Sequence, residues 1–159
     1  MKFLETWLYG LSHLFLVPVM LLILLALLYA FVALGGFLLE MLQRRRGSYR
    51  SALAAWHAAH GGESADMELW IIKRLEWLRI VSRSAPMLGL VATMIPMGPA
   101  LLALTRSDAQ GVGENMVVAF SAVILALVAA SLTFWMLTVR RRWLLTELRA
   151  VERADAGVR

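Results

Sequence analysis

Few residues in this chain sit where a polar side chain would be unexpected, and those few carry whatever chemistry it has. In the stretch SAPMLGLVATMIPMGPALLAL, residues 84–104, Thr93 is the only hydroxyl between Ala85 and Leu104, beside three prolines and two glycines. A hydroxyl in such a run either bonds the carbonyl one turn back or faces a hydrated path for ions, and the spacing alone leaves both open. Glu114 stands at the head of the next apolar run, as an acid favoured by a helix N-terminus or as a carboxylate at the mouth of a path. Ser121 lies about two turns further on. His57 and His60, with Glu63 nearby, have the spacing of a metal site but fall in the glycine-bearing stretch HAAHGGESAD, so solvated histidines and no metal are expected. His13 reads as an interfacial residue. Nothing in the sequence has the form of a nucleophile elbow, a phosphate loop or a paired-carboxylate site, so no catalytic role and no cofactor are expected.

The elements that hold these residues follow from composition. The chain has 159 residues, 60% hydrophobic and 17% charged, with no cysteine. A soluble domain has nearer half apolar and a quarter charged. The charges cluster, leaving three long apolar windows. Leu11–Leu39 is 29 residues without an acid or strong base; Ala85–Leu104 lies between Arg83 and Arg106; Asn115–Val139 lies between Glu114 and Arg140, Arg141 and Arg142. About 20 apolar residues cross a hydrocarbon core, so each window can span a bilayer. The first is too long for a cleaved signal, and its basic cluster follows it, so it reads as an anchor.

Fourteen of the sixteen Lys and Arg fall in residues 41–84 or after Val139. The positive-inside rule therefore predicts a cytoplasmic segment 41–84, a cytoplasmic C-terminus and an outward N-terminus. Juxtamembrane arginine is explained by topology and anionic headgroups, and no nucleic-acid partner is expected. The predicted fold is all-α, an oligomeric bundle with three transmembrane helices over residues 11–40, 85–104 and 115–139. Residues 1–10 form an outward amphipathic helix with Trp7 and Tyr9 at headgroup depth, and residues 105–114 an external loop. The second and third helices extend into the cytoplasm through residues 41–84 and 140–159. Ile71, Leu75, Leu78 and Ser82 share one face of the first extension, and Leu144, Leu148 and Val151 one face of the other. A turn is expected between Trp56 and Met67.

Pro86 falls at the expected first turn of span two, where a missing amide costs little. Pro96 and Pro99 lie inside, and in lipid each freed carbonyl needs another partner. Ala85, Gly89, Thr93, Pro96, Ala100 and Ala103 recur at spacings of three and four, as do Ala119, Ala122, Ala126, Ala129 and Thr133 in span three. Matched small faces let membrane helices pack closely. The windows 11–39, 85–104 and 115–139 contain no charged residue, so a chain that conducts protons needs a carboxylate from elsewhere.

The run RIVSRSAPMLGLVATMIPMGPALLAL, a short loop, and ENMVVAFSAVILALVAASL closing in VRRRW resemble the MotA/TolQ/ExbB proton channel family, and more closely its short ExbB-like members. The most specific part is Ala85–Thr93, and the resemblance covers roughly residues 75–143. It implies a stator-type proton channel subunit of the cell inner membrane, with five copies around an ExbD/TolR-like single-span partner that carries the protonatable aspartate. Thr93, Ser121, Glu114, Gly89, Pro96, Ala119 and Ala122 would line the pore wall. Thr93 corresponds to the span-two threonine of the family and Glu114 to its span-three glutamate. The span-three threonine aligns with Ala119 or with Val123, neither of which has a hydroxyl, and Ser121 is the nearest substitute. The rival reading is a non-conducting oligomeric scaffold or accessory subunit of a transporter, which the missing hydroxyls favour.

Overall fold

The computed structural model describes residues 2–46, 51–60 and 64–157, and side chains at Trp7 and over residues 14–46, 51–59 and 65–154. These residues form four helices and no strand: α1 (Lys2–Arg45), α2 (Ala52–His60), α3 (Ser64–Thr105) and α4 (Ala109–Gly157). Helices α1, α3 and α4 each carry a segment long and apolar enough to cross a membrane. Their large apolar side chains are mostly exposed within the chain, Leu14 at 70%, Val32 at 68% and Met94 at 68%. Water would not tolerate so much apolar surface, and lipid or neighbouring helices are its natural cover.

Several expected breaks are absent. The N-terminal ten residues belong to α1, which runs unbroken for 44 residues with Pro18 inside it. Trp7 is exposed, and the side chains of Tyr9 and His13 lie outside the described residues. Pro86 does not start a helix: it lies 22 residues into α3, with Pro96 and Pro99 further along. A proline removes one ladder bond, but unwinding a membrane helix around it would strip several more backbone groups of partners, so the helix continues through all three. Of the residues expected to turn between Trp56 and Met67, those up to His60 belong to α2 and those from Ser64 to α3, and residues 61–63 lie outside the described residues.

The loop expected over residues 105–114 contracts most. Helix α4 begins at Ala109 and takes in Gly111, Gly113 and Glu114. Ser107 adopts φ of 55°, the left-handed conformation that closes a helix. The Asp108 amide donates to the Ala103 carbonyl at 3.0 Å and the Ser107 amide to the Leu104 carbonyl at 3.1 Å, the paired bonds of a Schellman cap. Asp108 then caps α4, its carboxylate accepting from the Gly111 amide at 3.0 Å. One helix is closed and the next opened within three residues.

The chain divides into two compact units, residues 1–31 with 81–131, and residues 32–80 with 132–159. In the first, Val19 and Ile23 of α1 form a buried cluster with Ala92 of α3 and Ala122 and Ala126 of α4, flanked by Met20, Leu88 and Leu125. In the second, Phe37, Leu53, Met67, Ile71, Leu75, Leu78, Met136, Leu144 and Leu148 are buried. The helical faces expected from Ile71, Leu75, Leu78 and from Leu144, Leu148 are thus the buried ones, while Val151 is half-buried.

Polar side chains also join α1 to α4 in the second unit. Arg44 Nη2 donates to Glu40 Oε1 at 3.1 Å and to Glu147 Oε1 at 2.5 Å. Arg140 donates to Glu40 Oε2, 3.0 Å from Nη2 and 3.1 Å from Nε. Ser51 Oγ donates to Glu147 Oε2 at 2.7 Å. The Arg44 guanidinium lies 4.6 Å from the Trp143 ring centroid, and Phe37 stacks on Trp143 at 5.3 Å with an interplanar angle of 6°. Phe37 also meets Trp135 edge-on at 5.3 Å.

Candidate functional site

The small-residue stripes meet each other within one chain. On α3, Ala85, Gly89, Ala92, Pro96 and Ala100 are buried; on α4, Ala119, Ala122, Ala126 and Ala129 are buried. Lacking a hydrophobic drive inside lipid, helices associate where small side chains let backbones come close. At Gly89 the approach is at its limit, since a Cβ built there would lie 2.9 Å from Ala126 Cβ and 3.4 Å from Val123 Cγ2.

Four of the seven candidate residues, Gly89, Pro96, Ala119 and Ala122, are buried among these small residues. The other three lie outside the buried line. Thr93 is half-buried, and its Oγ1 donates to the Leu90 carbonyl at 2.7 Å. That bond uses the hydroxyl hydrogen and leaves oxygen lone pairs to accept from water. Ser121 and Glu114 are exposed, and Glu114 Oε1 accepts from Gln110 Nε2 at 2.9 Å.

Helix geometry separates these polar groups further. At about 100° per residue, Ser121 and Glu114 stand within roughly 20° of each other, about 120–140° around α4 from Ala126. That direction passes Leu125, which packs on the cluster with Val19 and Ile23 of α1. Val123 lies on the opposite flank, toward Gly89. On α3, Leu88 and Ala92 occupy the side toward α1, whereas Thr93 is roughly 40° beyond Gly89 on the other side. Thr93 and Val123 therefore share one flank of the α3–α4 pair, and Ser121 with Glu114 takes the other. Within a single chain the hydroxyls do not meet.

The buried stripe on α3 departs from the expected one in its middle, where Ala92 and not Thr93 is buried, while Ala85, Gly89, Pro96 and Ala100 are buried as expected. Both Ala92 and Thr93 satisfy spacings of three and four between Gly89 and Pro96, and Ala92 is the one at the centre. The Glu40–Arg44–Glu147 network escaped it altogether, although Glu40 and Arg44 at i and i+4 are a local hint. Of the metal candidates, Glu63 and the His60 side chain lie outside the described residues. Among the described residues no three His, Asp or Glu gather as metal ligands.

Three apolar helices, two of them joined by a tight turn and packed through small side chains, define a multi-pass helical membrane protein. Residues 37–153 match the MotA/TolQ/ExbB proton channel family, and the chain belongs to that family. The match takes in α2, α3, most of α4 and the last turns of α1. No curated protein and no solved structure matches the chain.

Proposed function

We propose that this protein is the wall-forming subunit of a proton channel in an inner-membrane energy-transducing complex, with its N-terminus outside and its C-terminus in the cytoplasm. Several copies, five by likeness to the family, surround a single-span partner whose carboxylate carries the proton. The observation that carries this reading is the family match over residues 37–153, joined to the lack of any charged residue in the windows 85–104 and 115–139. A charge at the bilayer centre costs about 2.5–3.5 kcal/mol on insertion scales, and a wall without one must borrow the proton carrier from elsewhere.

In this reading the seven candidates divide by task. Gly89, Pro96, Ala119 and Ala122 hold α3 against α4 and give the wall its shape. Thr93 presents an acceptor oxygen to water beside the carboxylate. Glu114 and Ser121 mark the other flank of α4, with Glu114 near its outer end. A proton crossing 100 mV releases about 2.3 kcal/mol, which drives a step of the partner relative to the wall.

The test is reconstitution of the protein with the single-span product of a neighbouring gene, reading proton uptake into vesicles. Flux that survives both Thr93→Val and removal of the partner's carboxylate refutes the proposal. A second reading, a non-conducting scaffold, draws on a specific observation: the residue on the Thr93 flank of α4 is Val123, which cannot bind water. A complex that assembles normally yet passes no protons would establish it.

A further inference from the structure

The residues 40–46 and 140–147 contain six arginines and two acids. Both acids are engaged within the chain, Glu40 by Arg44 and Arg140, and Glu147 by Arg44 and Ser51. That leaves Arg45, Arg46, Arg141 and Arg142, all exposed and all without an ion pair among the described residues. Their positive charge is uncompensated where α1 and α4 run side by side.

The depth of this band is also fixed. Glu40 meets Arg140 and Arg44 meets Glu147, so the two helices run parallel here in near register. The α-carbons of these four arginines then fall within a layer about 8–12 Å thick along the helix axes, on the scale of a headgroup layer of a bilayer. Trp135 and Trp143, joined through Phe37, lie on either side of Arg141 and Arg142 along α4, and tryptophan belongs at headgroup depth in membrane proteins.

We propose that Arg45, Arg46, Arg141 and Arg142 form a binding site for the phosphodiester headgroups of anionic phospholipids. Guanidinium groups donate two parallel hydrogen bonds to phosphate oxygens, and uncharged headgroups offer no net charge to match. The internal pairs serve this site by neutralising Glu40 and Glu147, which would otherwise repel the phosphates. The site needs the helices to cross a membrane, but neither a partner protein nor proton flow.

The test uses the full-length protein reconstituted in phosphatidylcholine vesicles containing a minor fraction of phosphatidylglycerol, then re-extracted and its retained lipid counted by mass spectrometry. Each arginine near a charged surface contributes about fivefold in partitioning, so the wild type is expected to enrich phosphatidylglycerol at least tenfold over the bulk. The change of all four arginines to Gln abolishes the enrichment, while Arg149→Gln with Arg153→Gln preserves it. Should the fourfold variant fail to fold, Arg45→Gln/Arg46→Gln and Arg141→Gln/Arg142→Gln are measured separately, each lowering it several-fold. Equal retention of the two lipids by the wild type, or unchanged enrichment in the variants, overturns the proposal. So does displacement of the lipid by excess inorganic phosphate, which would make the ligand a soluble anion. None of these readings depends on flux, so failure here leaves the channel reading standing, and the converse also holds.

Discussion

Gly89 of α3 faces Ala126 of α4 so closely that one added carbon would lie 2.9 Å from the alanine Cβ. The obstructing atom is held directly on the backbone and cannot rotate aside, so the helices themselves must move to admit it.

The Gly89→Ala substitution is therefore expected to destabilise the protein. Alanine gains up to about 1 kcal/mol of helix propensity over glycine, and overpacking costs about 1–3 kcal/mol, so the loss wins. The compensating pair Gly89→Ala with Ala126→Gly returns the space and recovers much of the stability. Thermal unfolding in detergent, followed by tryptophan fluorescence, checks both, and a raised midpoint for Gly89→Ala alone would contradict the packing described.

The turn between α3 and α4 makes two opposite predictions. Asp108→Ala removes the side-chain acceptor of the Gly111 amide and is expected to cost about 1 kcal/mol. Ser107→Gly relieves a non-glycine residue at φ of 55° and is expected to stabilise by up to about 1 kcal/mol. Both are read as shifts of the unfolding midpoint in the same assay.

Arg44 bridges two carboxylates 107 residues apart in sequence while covering the face of Trp143. Losing one partner of a charged hydrogen bond costs about 1–3 kcal/mol, and Glu147→Ala should fall near the lower end because the group is partly exposed. Reversal in Glu147→Arg costs more, since it sets like charges together. In Arg44→Leu, Trp143 emission changes as the cation leaves its ring.

Thr93→Val separates structure from function. Among the described residues the hydroxyl bonds only the Leu90 carbonyl three residues back, whose role in the helix ladder is unaffected, so stability changes by less than about 0.5 kcal/mol. Proton flux in the reconstituted complex is expected to fall by tenfold or more. A fall in stability matching the fall in flux would assign Thr93 to packing.

How much of this could be read from the sequence differs by the range of the interaction. The three apolar windows announce the three long helices, and the buried faces of Ile71, Leu75 and Leu78 and of Leu144 and Leu148 follow from helical spacing. The small stripes on α3 and α4 were likewise visible, but their centre was not, because Ala92 and Thr93 fit the same spacing equally. The polar run from Arg106 to Glu114 between two apolar windows reads as a loop, but the Asp108 carboxylate caps a helix at Ala109 and the helix carries on through Gly111 and Gly113. The meeting of Arg44 with Glu147 has no local signature at all. That Thr93 and Ser121 take opposite flanks depends on which faces of α3 and α4 meet, at Gly89 and Ala126, a tertiary choice that no window of one helix encodes.

The turn at Ser107 and Asp108 also bears on how the protein is made. Between the last turn of α3 and the first of α4 stand only Arg106, Ser107 and Asp108, whose single positive and single negative charge cancel. With only three residues outside the two helices, α3 and α4 are expected to insert into a bilayer as one folded hairpin rather than in succession.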